Sequence, residues 1–530
     1  MPMKHTILAF AAALVIAPSA AQVPSTCMLF DAGFLNNSIG GVVQTSDGGV
    51  ALCGGFELGN TGYPQILVTK VGANGTLQWM KSYDSGPNTA DYGLAIVGTD
   101  DGGVAVAGYL DAGMVYILKL SATGDQEWAK TYAYSGLSLT MNHNGFIHTA
   151  DGGFALQAGA FASDGWFMLR TDGSGNVLWS DELAFVNATP TDVAELPNGD
   201  LLFTGWDSGI FQPELVLRKD GLTGATEWMH WYSPAPDEYI ETYGMVAGAD
   251  STIVISGITS AVGYTDAFAM AIASDGTILW ATRFGTEEIE SGDDVALHPD
   301  GGYVITGPMW ESPGSTAILG GYVTRLDENG QVVWSKHVSK PDALYIIPTR
   351  CSVANDGGVL LAGRCARTND YPQFFMKLDT NGNSCPTCPS VDEGAAHAMA
   401  ISTAPDQGSS FTGPWATATA VGFIVVDLTP TAVAEVCGST GVEDVLSANA
   451  VSIAPNPFSD QAVITVDPAM LNGAAWIELR DVLGRLVHTQ PLQGRSTVIE
   501  RNAMATGHYT YRIMTSGGNM ATGALVLGER

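Results

Sequence analysis

The sequence predicts an all-β chain: a closed seven-bladed β-propeller followed by a small Ig-like β-sandwich. A tryptophan column, a turn column in step with it, and the lack of helical periodicity carry that expectation. Trp79, Trp128, Trp179, Trp228, Trp280 and Trp334 follow one another by 49, 51, 49, 52 and 54 residues. Each stands four residues after a glycine: Gly75, Gly124, Gly175, Gly224, Gly276 and Gly330. A self-repeating unit of about 50 residues marks a stacked or closed repeat architecture.

The turn column is Asp47-Gly48-Gly49, Asp101-Gly102-Gly103, Asp151-Gly152-Gly153, Asp300-Gly301-Gly302 and Asp356-Gly357-Gly358. Degenerate copies at Asn198-Gly199-Asp200 and Asp250-Ser251-Thr252 bring the units to seven. Asp-Gly between apolar runs favours a hairpin, because both residues tolerate the positive φ of such turns. From Tyr92 one unit reads YGLAIVGT, a turn, VAVAGY, MVYILKL, a turn, and QEWAKTY. Four short β-prone runs per unit make a propeller blade. Tyr83, Tyr132, Tyr232 and Phe284 lie four residues after their Trp, on the same strand face, and read as packing between blades.

The seventh unit lacks its last strand. Pro386 stands four residues after Gly382, where Trp belongs, and proline cannot donate in a sheet. Residues 27–33 (CMLFDAG) resemble 80–86 (MKSYDSG), with Phe30 in the Tyr83 column and Thr26 in the Trp column. Residues 26–33 are therefore expected to complete the last blade and remove open sheet edges.

Of 530 residues, 22 are basic and 54 acidic, a net charge of −32. That balance excludes the basic footprint of a nucleic-acid binder and disfavours an anionic membrane surface. Residues 1–21 read as a secretory signal: Lys4, the apolar run 7–16, then Ser19-Ala20-Ala21 before Gln22. That run is too short for a transmembrane helix, and no other reaches about 18 residues. Seven cysteines suit an oxidising compartment. Cys53, where the second unit has Ala107, reads as a buried thiol. Cys27, Cys351, Cys365, Cys385, Cys388 and Cys437 are disulfide candidates. Cys351 would pair with Cys365 across one turn, Cys27 with Cys385 or Cys388, and Cys437 with the one that remains. Cys385-Pro386-Thr387-Cys388 lacks the βαβ context of a redox motif and the second pair of a zinc site, so it reads as structural.

Repeat grammar covers residues 22–389 and stops after Cys388. Residues 390–450, rich in Ala, Thr, Ser, Gly and Pro, read as a connector with some β structure. Residues 451–530 return to alternating β runs. They carry Pro455-Asn456-Pro457-Phe458, then Asp481-Val482-Leu483-Gly484-Arg485, then Gly507-His508-Tyr509. In that order and place, these motifs resemble the type A C-terminal sorting domain of the bacterial type IX secretion system. The resemblance implies a partner in that machinery, passage across the outer membrane, and later removal of the domain. It also implies release or attachment to surface lipopolysaccharide, and so a secreted or outer-membrane surface protein of a Gram-negative bacterium. The repeats resemble propeller repeats carried by such cargo. Gly-x-x-x-Trp is similar to the tryptophan-docking motif of quinoprotein-type propellers, which implies blade packing alone.

Catalytic signals are scarce. Nine histidines form no metal-binding pair, and there is no nucleophile elbow or phosphate loop. Glu287-Glu288 and Asp293-Asp294 read as one solvated acidic loop. No cofactor is expected, although acidic loops could hold Ca²⁺. Connections between second and third strands carry aromatics beside acids: Tyr63, Trp166, Trp206, Tyr264 with Asp266, Trp310, and Tyr371. Gathered on one face, these would bind a glycan or protein partner. The leading expectation is thus an exported, non-catalytic binding module. A polysaccharide-active hydrolase or lyase and a structural surface component are the alternatives.

Overall fold

A computed structural model describes the chain from residue 26 to residue 527, apart from loop segments of which 438–450 is the longest. For most of residues 390–437 and parts of 507–527 it describes the backbone alone. The signal segment 1–21, Tyr371, Cys385 and Cys388 lie outside the described residues. Contacts divide the chain into two units, Met1–Cys437 and Gly438–Arg530.

The first unit is a seven-bladed propeller with antiparallel blades. Blade one runs Asn37–Gln44, Val50–Glu57, Pro64–Val71 and Leu77–Asp84, from the axis outwards. Second and third strands are buried on both faces because blades stack on them, so they read as apolar runs rather than alternations. Blade seven takes its outer strand from the chain's start: Thr26–Asp31 pairs with Gln373–Leu378. Thr26 stands opposite Lys377 as Trp79 stands opposite Lys70, which is the register the column alignment predicts. Met28 and Phe30 then join Ile39, Val42, Val50 and Leu52 of blade one in a single core cluster, and the ring is closed.

Blades one to six each interlock with the next through an indole, and blade seven carries Thr26 in that column. Trp79 Nε1 donates to Ala122 O at 3.0 Å, Trp179 to Gly221 O at 2.8 Å, and Trp280 to Glu328 O at 3.0 Å. Tyr83, Tyr132 and Tyr232 donate their hydroxyls to Gly124 O, Gly175 O and Gly276 O of the following blade. The turn glycines are doubly required. Gly330 has a φ of 76°, and a Cβ there would meet Trp280 at 2.6 Å.

The Asp-Gly-Gly turns are braced from inside. One position near the end of each third strand holds Lys70, Lys119, Arg170, Arg218, Ala271, Arg325 or Lys377. Lys70 pairs with Asp47 at 2.9 Å, Lys119 with Asp101 at 2.7 Å, and Arg218 with Asp200 at 2.5 Å. Arg170 and Lys377 pair likewise with Asp151 and Asp356. Burial opposes ionisation of Asp101, but hydrogen bonds from Lys119, Thr99 and Gly103, with the Lys119 charge, hold it at about 2. Arg325 braces its turn by donating to Gly301 O instead, so six of the chain's 22 basic residues serve turns.

Residues 390–437 do not form a separate connector. They make seven short strands, and each adds a fifth strand to one blade. Ser390–Asp392 pairs with blade six, Ala395–Ala398 with five and Ile401–Pro405 with four. Ser410–Phe411, Ala418–Ala420 and Ile424–Asp427 follow on blades three, two and one. Ala432–Cys437 ends the circuit on the closing strand of blade seven. The chain thus runs once backwards around the ring as a belt that covers every outer edge, where unpaired N–H and C=O groups would invite association.

Cys351 and Cys365 are separate buried thiols, which corrects the expected bridge. Cys351 faces Leu361 and Cys365 faces Ile346, so four residues of extended strand, about 13 Å, divide them. Cys53 is buried as expected. Trp166 is fully buried rather than exposed. It occupies the third-strand position of Ile66 and Val115, which faces the neighbouring blade. Glu214 stands in that column too, its carboxyl accepting from Thr204 Oγ1 and Thr242 Oγ1. Burial pushes Glu214 up to about 8 despite these hydrogen bonds.

The second unit holds two sheets, of three and four strands. Alternation at Gln461–Val466 and Ser496–Glu500 turns one face to a core of Ile464, Ile477, Leu479, Ile499 and Ile513. Phe458 and Tyr509 are buried in it. Pro455, Asn456, Pro457, Gly484 and Arg485 lie outside the described residues. Gly507 opens the strand Gly507–Thr515.

Ser251 takes a φ of 66° where six counterparts are glycine. Ser251→Gly is expected to stabilise by about 1 kcal/mol, and Gly330→Ala to destabilise by about 2 kcal/mol; urea unfolding midpoints measure both. The raised Glu214 favours the native state fully below its ordinary value of 4.5, and that share is lost as pH rises to about 8. Glu214→Gln is therefore expected to flatten the fall in unfolding midpoint across this interval.

Candidate functional site

Every inner strand breaks at one level. In blades one, two, four, five and seven the register slips there, between Ile39/Gly41, Gly93/Ala95, Pro190/Asp192, Thr242/Gly244 and Pro348/Arg350. In blades three and six the strand is split in two, between Thr140 and Phe146 and between Glu290 and Asp294. Such breaks re-aim side chains. Here Asn144, Thr191, Tyr243, Asp293 and Thr349 line a cavity of about 780 Å³ at the axis.

The Asn142-His143-Asn144 segment of blade three reaches across the ring. Asn144 Nδ2 donates to Tyr243 O at 2.9 Å in blade five and to Asp293 O at 3.3 Å in blade six. Asn142 Nδ2 donates to Pro190 O of blade four. Arg350 Nε donates to Gly40 O at 3.1 Å and ties blade seven to blade one. His143, Asn144 and Arg350 also line a second space of about 170 Å³ with Gly41, Ile96 and Met245, so they partition the axis.

Asp293-Asp294 is not a solvated loop. Asp294 accepts from Val295 N at 2.9 Å and from Cys351 N of blade seven at 2.8 Å. Asp192 does the same for Val193 N and Met245 N of blade five. Both carboxylates are structural ties between inner strands. Asp293 instead faces the cavity, with Ser291 Oγ donating to it at 2.5 Å. Burial pushes Asp293 up to about 6, against the Ser291 hydrogen bond and the charges of Arg350 and Arg364. Burial, helped by those two arginines, pushes His143 well below its ordinary value, so its ring is neutral at pH 7.

Two of the aromatics singled out in the sequence meet here. Trp206 and Trp310, each half-buried, line the larger cavity with Arg364. Arg364 is exposed, and among the described residues its guanidinium has no hydrogen-bond partner. The other candidates do not join them. Tyr63 is an exposed residue of blade one, and Asp266 sits 4.0 Å from Arg283. Tyr264 opens the strand Tyr264–Ile272. Among the described residues no three metal-ligating side chains converge. No helix among them is long and apolar enough to cross a membrane. Sequence reasoning missed Asn144, Thr191, Tyr243 and Thr349 and read Asp293 as part of a solvated loop. Their spacings of 47, 52, 50 and 56 residues repeat the blade period and could have pointed to them.

The second unit identifies the class of protein. Residues 452–526 match the secretion system C-terminal sorting domain. The chain is therefore a type IX secretion substrate, secreted or held on the outer surface of a Gram-negative bacterium, and it presents a seven-bladed propeller there. No curated protein matches it. Among solved structures it is similar to PorZ of Porphyromonas gingivalis, described as an essential bacterial surface component of the type-IX secretion system. That match has 12% identity and a TM-score of 0.39, and it covers 91% of this chain and 58% of that one. A protein of unknown function from Bacteroides caccae matches at 14% identity and TM-score 0.34, covering 55% and 93%. One from Dyadobacter fermentans matches at 12% and 0.37, covering 68% and 100%. These likenesses bear on neither ligand nor activity.

Deleting residues 452–526 is expected to leave the propeller folded and retained in the periplasm. Cell fractionation checks the location, and the unfolding midpoint of the retained protein checks the fold.

Proposed function

We propose that the propeller is a glycan-binding module and that its axial cavity takes a sugar carrying an acidic group. The observation that carries this reading is the meeting of Trp206, Trp310 and Arg364, whose guanidinium makes no hydrogen bond among the described residues, on one cavity that Asn, Thr and Ser side chains also line. Indole faces stack on sugar rings, amides and hydroxyls bond their hydroxyl groups, and a guanidinium donates a pair of hydrogen bonds to a carboxylate or sulfate. Two arginines at one site are notable in a chain of net charge −32. A module of this kind, delivered to the cell surface and attached there through lipopolysaccharide or released, would hold extracellular polysaccharide.

Asp293 supports the hydrolase or lyase as a second reading, since a carboxyl poised near 6 suits proton transfer. Among the described lining residues it is the single carboxylate, whereas glycosidases ordinarily use two.

The exported protein is tested on neutral and acidic polysaccharides, with and without Ca²⁺, for retention and for product mass. Retention of acidic glycans without new products is the expected result. Trp206→Ala is expected to weaken binding about tenfold, or ~1.4 kcal/mol, and Arg364→Ala to abolish the preference for acidic over neutral glycans. New oligosaccharides would favour the enzyme, and no retention would overturn the glycan reading. Asp293 gains a proton as pH falls through about 6, which leaves the cavity more positive. Binding of acidic glycans is therefore expected to strengthen below that pH, with Asp293→Asn reducing the dependence.

A further inference from the structure

We infer that Cys27 and Cys437 form a disulfide that fastens the end of the belt to the strand that closes the ring. Of seven cysteines, Cys53, Cys351 and Cys365 are buried thiols inside the blades. Cys27 and Cys437 are brought together by pairing across 410 positions of sequence: they are direct partners between Thr26–Asp31 and Ala432–Cys437. The ladder slips between Cys27 and Met28, where Met28 faces Glu435. Val436 is thereby passed over, and Cys437 in its place stands opposite Cys27. Direct partners in an antiparallel pair have Cα atoms about 4.5–5.5 Å apart and share a sheet face, within the span a disulfide bridges.

The position gives the bond a task. Cys437 is the last residue of the propeller unit, and the sorting domain begins at about 452. Removal of that domain leaves a new chain end just beyond the final belt strand. Chain ends fray unless tied down, and a belt held only by short strands could peel from one blade after another. A bond at Cys437 clamps that end to blade seven.

The export route supplies the chemistry. Two thiols lose two protons and two electrons to a disulfide-carrying oxidant of the periplasm, which leaves as two thiols. One S–S bond forms and one is consumed.

The test uses exported protein with the sorting domain removed. It is denatured without reductant, its thiols are alkylated, and its peptides are weighed. The expected result is one linked species holding Cys27 and Cys437, with Cys53, Cys351 and Cys365 alkylated. Alkylated Cys437, or Cys27 linked to Cys385 or Cys388, would overturn the pairing. In Cys437→Ser, protease is expected to cut residues 390–437 about tenfold faster than in the unaltered protein. Equal rates would overturn the clamp even where the bond is found.

Discussion

Six of the seven blades present an indole that is only half a contact. The other half is a glycine turn about 50 residues further along, and the two fit because nothing occupies the space where a Cβ would stand. Gly330 against Trp280 and Gly382 against Trp334 show the constraint most plainly. This docking sets the separation of neighbouring blades. With Tyr83, Tyr132 and Tyr232 added, it sets their mutual rotation too. Six such dockings and the closing strand Thr26–Asp31 bring the inner strands of all blades to one axis, and the cavity of Trp206, Trp310 and Arg364 exists only because the ring closes.

Closure leaves a second problem. A propeller removes edges at the axis but leaves each blade an outer one. The belt of residues 390–437 answers it by backbone pairing with each blade in turn. Such pairing needs little from side chains, which is consistent with strands as short as Ser410–Phe411 and a composition of Ala, Thr and Ser. The same economy made this region look like a linker, since a short strand on an existing edge needs no apolar alternation of its own.

Particular residues show why some features were legible. The Gly-x-x-x-Trp period, the Asp-Gly-Gly turns and the swap of Thr26–Asp31 into the last blade are local patterns repeated at fixed distance. Trp166 was not legible: it shares its connection with acidic residues as Trp206 does, yet it belongs to the column of Ile66 and Val115. Asp293 and Asp294 are adjacent in sequence and opposite in role, one facing the cavity and one tying blades six and seven. Adjacent strand residues point to opposite faces, and only the break in the inner strand decides which face is which.

The sequence by itself determined the number of blades, the four strands of each repeat, the residues that interlock neighbours, and the sorting domain. These rest on short-range chemistry: turn φ, strand alternation, and motifs read in order. The tertiary structure alone decided which side chains meet at the axis, where the belt runs, and that Cys437 stands opposite Cys27. Those outcomes depend on pairings between segments hundreds of residues apart, and no local preference encodes the register in which distant segments come together.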